Sequence, residues 1–170
     1  KATEDGEKAL NENKISTLDV FIYKEGEDAC AHYQRIVPVD GMTRYGISKN
    51  RSAFAENTGY SVYVVANAGT AAAGAMSLAE LKAAVVAQAL NPDAVQTDLL
   101  MDGKSIATVL NDGTKANKNI DVSLKRGVAK IRVNLSYGAD YQPAGQVTKK
   151  LVNYASDARV LETGDVHTPA

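Results

Sequence analysis

Cysteine is almost missing from this chain. Cys30 is the only one, which excludes an internal disulfide and any multi-cysteine metal site. Tryptophan is absent and phenylalanine occurs twice, against eight tyrosines, so the core must be chiefly aliphatic. Only two histidines, His32 and His167, are available for acid–base or metal chemistry. No apolar run approaches the roughly 18 residues needed to cross a bilayer. No signal-peptide pattern opens the chain, which starts at Lys1 without Met, so a removed natural N-terminus is expected. An excess of one charge is lacking as well. With 19 basic and 20 acidic residues the net charge is −1, and no long-range field draws the chain to nucleic acid or an anionic membrane.

What is present is β pattern. Within Lys125–Tyr137 (KRGVAKIRVNLSY), Ala129, Ile131, Val133 and Leu135 alternate with Lys130, Arg132 and Asn134. A period of two is that of a strand with one buried and one wet face. At 170 residues, 45% of them hydrophobic, the chain is most simply one domain. A chain of this size buries roughly 68–70% of its unfolded surface and needs no covalent staple.

Residues 1–12 are charged and aperiodic and read as a flexible tail. A first strand lies within Lys14–Tyr23, with Leu18, Val20 and Ile22 on one face and Asp19, Phe21 and Tyr23 on the other. His32–Val39 is a second strand, which Pro38 confines to a sheet edge. Arg44–Asn57 is polar and reads as a mobile loop. Tyr60–Ala66 (YSVYVVA) is a central strand.

Ser77–Leu90 is the expected helix, with Ser77 and Glu80 forming a capping box and Leu78, Leu81 and Val85 on one face. Asn91-Pro92 stops it. Ile106–Leu110, Ile120–Leu124 and Gly127–Tyr137 are further strands, with Lys125–Gly127 as a turn between the last two. In the second of them Ile120, Val122 and Leu124 point inward. Gln146–Tyr154 and Ala158–Leu161 are weaker strand patterns. Residues 162–170 resemble a tail or a linker to a second domain. Strands separated by turns, with one helix, predict a mainly β protein: a Greek-key sandwich of about seven strands over residues 13–161.

Candidate chemistry is sparse. Gly69–Gly74 (GTAAAG) sits between a strand and a helix, as a phosphate loop would, but Ala75 and Met76 stand where Lys and Ser or Thr are required. Cys30 and His32 form no nucleophile–base pair by spacing alone, and no G-x-S-x-G elbow accompanies either histidine. Asp98–Gly103 lacks the oxygen spacing of a calcium loop. Lys125, Arg126, Lys130 and Arg132 have no interleaved aromatics to stack bases, so they read as a solvated face. No catalytic residue, cofactor site or metal site is expected, and no nucleic-acid partner.

Three segments together resemble the N-terminal domain of the fimbrillin family, the shaft subunits of type V pili. They are Asn13–Tyr23 (NKISTLDVFIY), Tyr60–Gly69 (YSVYVVANAG) leading into Leu78–Leu81 and Leu99–Met101, and Val122–Val133 (VSLKRGVAKIRV). The likeness spans Asn13–Tyr154. It implies a transthyretin-like β-sandwich and a structural subunit of a fimbria on a Gram-negative cell surface. It also implies an outer-membrane lipoprotein precursor, trimming by an arginine-specific protease, and polymerisation by strand exchange with other pilin subunits in support of cell adhesion. The sequence departs from the family by showing no lipobox or prosegment and by ending near the close of the first domain.

On that reading, an incomplete sandwich exposes backbone groups beside an uncovered core and accepts a donor strand. Each apolar donor side chain contributes about 1.5–3 kcal/mol gross. Leu18, Val20, Ile22, Ile131 and Val133 are the residues expected to line the groove. Two other classes remain open from sequence. A tip adhesin binding a carbohydrate or host protein would use the stretch Lys24–Gly59, with Tyr33, Tyr45 and Phe54. A small enzyme would need His32 beside a buried carboxylate.

Overall fold

The computed structural model describes residues 13–87, 97–114, 117–127, 136, 145 and 157–161. In chain order its elements are β1 (Leu18–Lys24), β2 (Cys30–Ile36), β3 (Gly59–Ala66), α1 (Leu78–Ala83), β4 (Val85–Ala87), β5 (Met101–Lys104), β6 (Thr108–Val109), β7 (Lys125–Arg126) and β8 (Asp157–Arg159). A 3-10 turn at Arg51–Ala53 interrupts the long β2–β3 connection.

The main sheet runs β2-β1-β3-β5-β7, with β6 also on β3, and β4 pairs with β8 in a second, two-stranded sheet. Every pairing is antiparallel. The fold is therefore mainly β with one short helix, as expected, and the path from β2 to β7 does not close into a barrel. β1 is an inner strand, hydrogen-bonded along both edges by β2 and β3. β5 and β6 sit in tandem on the far edge of β3. Between them Ser105 keeps the ladder satisfied: its N–H donates to the Val62 carbonyl at 2.9 Å, and its Oγ accepts the Val62 N–H at 3.0 Å.

Both faces of β1 are buried, and the period of two divides them between separate layers. On one face Phe21 and Tyr23 join Tyr63 and Val65 of β3. That face is covered by Leu81 of α1, by Val86 of β4, and by Val160 and Leu161 just past β8, which makes it the interior of a two-layer sandwich. On the other face Val20, Ile22 and Val62 meet Phe54, Tyr60 and Leu110, with Ile47 and Ile120 packed against them. Further along that face Leu18, Ala66, Met101 and Leu124 form a third cluster with Ile15, Tyr45 and Val122 at its margin.

Several sequence expectations are corrected. The helix ends at Ala83 rather than reaching Leu90: Ala84 is already extended, and the following residues pair with β8. Adjacent β-branched Val85 and Val86 favour a strand, and Val85 is half exposed instead of lining a helix face. The capping box is present as expected, with the Ser77 and Glu80 side chains each accepting the other's backbone N–H. Lys125–Arg126 is not a turn but a strand on β5. Ile106–Leu110 shortens to Thr108–Val109. Residues 120–123 are not in a ladder, yet Leu124 is buried, Ile120 and Val122 are half-buried, and Asp121 and Ser123 are exposed, so their inward set was legible. The expected strands over 128–137 and 146–154, and both tails, lie outside the described residues.

Candidate assembly surface

Leu18, Val20 and Ile22 share one face of β1 and are 5%, 5% and 2% exposed. Their backbone edges are taken by β2 and β3, so they can present only side chains to anything packed on this face. Val20 and Ile22 lie in the cluster with Phe54 and Tyr60, and Leu18 in the cluster with Met101 and Leu124. Ile131 and Val133, the other two residues expected here, lie outside the described residues. Among the described residues β2, β6 and β7 are the margins of the main sheet. Past β2, Val37, Val39 and Met42 are exposed on a turn closed by the Met42 N–H to the Val39 carbonyl.

The opposite face of β1 holds a buried charge that sequence reasoning missed. Asp19 is fully buried and lies across from Arg35 in the β1–β2 register. Its carboxylate accepts from Arg35 Nε and Nη2 and from the Tyr33 hydroxyl, which lies 2.7 Å away. Arg35 Nη2 also donates to the Gly69 carbonyl. The Asp19 hydrogen bonds hold the Arg35 guanidinium above its ordinary range, and burial pushes the Tyr33 phenol up. An acid at an otherwise apolar alternate position, with Arg and Tyr on the neighbouring strand, was the available signal.

Asn67, just past β3, is a second node. It adopts the left-handed conformation at φ 62°. Its Oδ1 accepts the Ser16 N–H at 2.8 Å and the Thr17 N–H at 3.3 Å, and its Nδ2 donates to the Lys14 and Leu99 carbonyls, both at 2.9 Å. The Asn of the Ala-Asn-x-Gly segment therefore stitches the entry to β1 onto the entry to β5.

The positions considered for chemistry are otherwise engaged. The first amides of α1 are occupied: the Asp28 carbonyl and Oδ1 accept from Leu78 and Ala79, and Ser77 Oγ accepts from Glu80. A phosphate would find those donors taken. The Cys30 thiol donates to the His32 carbonyl rather than to its ring, and burial pushes it up, away from the thiolate. His32 registers with Ile22 and so lies on the face opposite Asp19. Burial lowers its imidazole. No group of three or more His, Cys, Asp or Glu among the described residues is placed to hold a metal. No helix among them is long and apolar enough to cross a membrane. The aromatics considered for an adhesin loop turn inward: Phe54 is buried, Tyr33 binds Asp19, and Tyr45 packs beside the third cluster.

The architecture defines a two-layer antiparallel β domain with one short helix. Residues 1–154 match the family model of the major fimbrial subunit protein (FimA), and the chain belongs to that family. It is a fimbrial protein, structural rather than enzymatic. Among solved structures it is similar to a fimbrial assembly protein from Parabacteroides distasonis, at 18% identity and a TM-score of 0.47, covering 67% of this chain and 46% of that one. It is also similar to a candidate cell adhesion protein from Bacteroides eggerthii, at 25% identity and a TM-score of 0.42, covering 65% and 33%. The chain thus spans less than half the length of either. No curated protein matches it.

Proposed function

We propose that residues 13–161 form the N-terminal sandwich domain of a structural fimbrial subunit that polymerises by strand exchange after proteolytic trimming and supports cell adhesion. The observation that carries this reading is the family match over residues 1–154. The main sheet supports it: among the described residues β2 is one of its margins, and a sheet margin is where an incoming segment can add a strand. The partners are other pilin subunits, with an arginine-specific protease during maturation, on a Gram-negative surface reached by an outer-membrane lipoprotein precursor. Leu18, Val20 and Ile22, with Ile131 and Val133, are the core positions assigned to the groove; the first three already pack against Phe54, Leu110 and Leu124, so a donor strand would add to a face that is partly covered. Head-to-tail contacts that do not close into a ring then build a filament.

The test uses the full-length precursor, incubated with and without an arginine-specific protease and analysed on unboiled detergent gels. Trimming should yield a ladder of detergent-resistant polymers. Ile131→Asp should abolish the ladder while the monomer keeps its circular dichroism spectrum. Trimmed protein that stays monomeric overturns the reading.

A further inference from the structure

We infer that residues 14–17 form a releasable strap, clasped by Asn67 and Asp98, that closes the apolar cluster of Leu18, Ala66, Met101 and Leu124. This strap is separate from strand exchange: it is how the chain covers its own cluster.

The strap is held mainly by side chains. The Ser16 and Thr17 amides donate to Asn67 Oδ1, and the Lys14 carbonyl accepts from Asn67 Nδ2. One backbone bond, from Asn67 N–H to the Thr17 carbonyl, completes the attachment. Asp98 accepts the Ser16 hydroxyl at 2.5 Å and pairs with Lys14 Nζ at 3.8 Å. Arg126 donates to the side chain of Asn13. One residue later the situation changes: from Leu18 onward the chain is laddered on both edges. The Thr17–Leu18 junction is thus a boundary between a segment hung on half-buried and exposed side-chain groups and one locked in a sheet. Opening the first requires far less than opening the second.

Backbone conformation points to the same place. Among the described residues Asn57, Asn67 and Asp98 are the non-glycine positions with positive φ, and two of these three make the clasp. Glycine would adopt φ 62° or φ 55° at lower cost, so the side chains are what these positions need. Beneath the strap, half-buried Ile15 packs onto the cluster beside Leu99, Tyr45 and Val122. Met101 and Ala66 there are fully buried. Lifting the strap removes Ile15 and opens this end of the sheet.

The test compares the full chain with Asn67→Gly, which keeps the left-handed backbone and deletes the clasp. Loss of the three Asn67 side-chain hydrogen bonds to the strap, at about 1 kcal/mol each, should speed hydrogen exchange at Ser16 and Thr17 about 150-fold. Amides in the middle of β1 and β3 should exchange as before. Trypsin should cut faster after Lys14. Dilute hydrogen peroxide should oxidise Met101 faster, while exposed Met42 reacts equally in both proteins. Asp98→Gly should give the same pattern more weakly. Unchanged exchange at Ser16 and Thr17, unchanged oxidation of Met101, or loosening of β1 and β3 to the same extent as the strap would each overturn the inference.

Discussion

Arg35 faces Asp19 across the β1–β2 ladder and holds its carboxylate with two parallel donors, Nε to Oδ1 at 2.8 Å and Nη2 to Oδ2 at 2.9 Å. The acid is fully buried, whereas the Arg35 side chain is 33% exposed, so the ion pair runs from the core to the surface. Because Arg35 also reaches the Gly69 carbonyl, the pair joins β1, β2 and the loop after β3. It also disfavours a one-residue slip of β1, which would carry Asp19 to the apolar face of Val20 and Ile22.

Removing one partner should therefore cost more than removing both. Arg35→Ala leaves a buried carboxylate with only Tyr33 and should destabilise the fold by about 3 kcal/mol, the lower end for a broken buried pair because water can enter where the guanidinium stood. Asp19→Leu combined with Arg35→Met should be milder. Urea midpoints of the three proteins check this. A single variant indistinguishable from the parent would show that the pair does not hold the layer.

The helix is short, and buried Leu81, the Ser77 cap and the Asp28 bonds to its first amides attach it. Leu81 is the buried residue of α1, and Leu81→Ala should cost about 2–5 kcal/mol. Ser77→Ala removes half of the capping box and should cost about 1 kcal/mol. Thermal unfolding should rank the two in that order.

Gly103 of β5 lies against the backbone of the strand-like segment that leads into β7. A Cβ there would collide with the Ser123 carbonyl and come within 2.9 Å of Val122 Cγ1. Backbone cannot swing aside as a flexible side chain can. Gly103→Ala should destabilise by about 1–3 kcal/mol, and hydrogen exchange should rise at β5 and β7 before β1.

Alkali should weaken the fold. Burial, followed by the charges of neighbouring Cys30 and Asp28, holds the Tyr23 phenol above its ordinary 10.0. Burial also raises Tyr33. The folded chain keeps protons that the unfolded chain releases, so this stability is complete below about pH 10 and declines as pH rises further. Urea midpoints should be lower at about pH 11 than at about pH 8. Ultraviolet absorbance titration should show these phenols ionising later than free tyrosine.

The β1 and β3 strands were legible because dense runs of β-branched and aromatic residues carry their own signal, and the helix start was legible because Ser77 and Glu80 satisfy each other locally. The helix end was not. Val85–Ala87 becomes a strand only because Asp157–Arg159 arrives beside it, and a partner seventy or more positions away leaves no mark on a local pattern. Lys125–Arg126 looked like a turn for the same reason: its charged residues gain a strand conformation from β5. The apolar set proposed for assembly was visible as alternation in Leu18, Val20 and Ile22. That Asp19, Phe21 and Tyr23 are buried as well was not, since alternation cannot report a second layer.

The sequence by itself determined the β character, the two central strands, the helix cap and, through three ordered segments, the fimbrial family. Those are near-neighbour properties, set by side-chain period and backbone preference within a few residues. Only the tertiary structure decided that β1 is enclosed on both faces and both edges, that Arg35 meets Asp19, and that Asn67 fastens the approach to β1. Each of these depends on hydrogen bonds or packing between residues far apart in the chain, which form once the layers have come together.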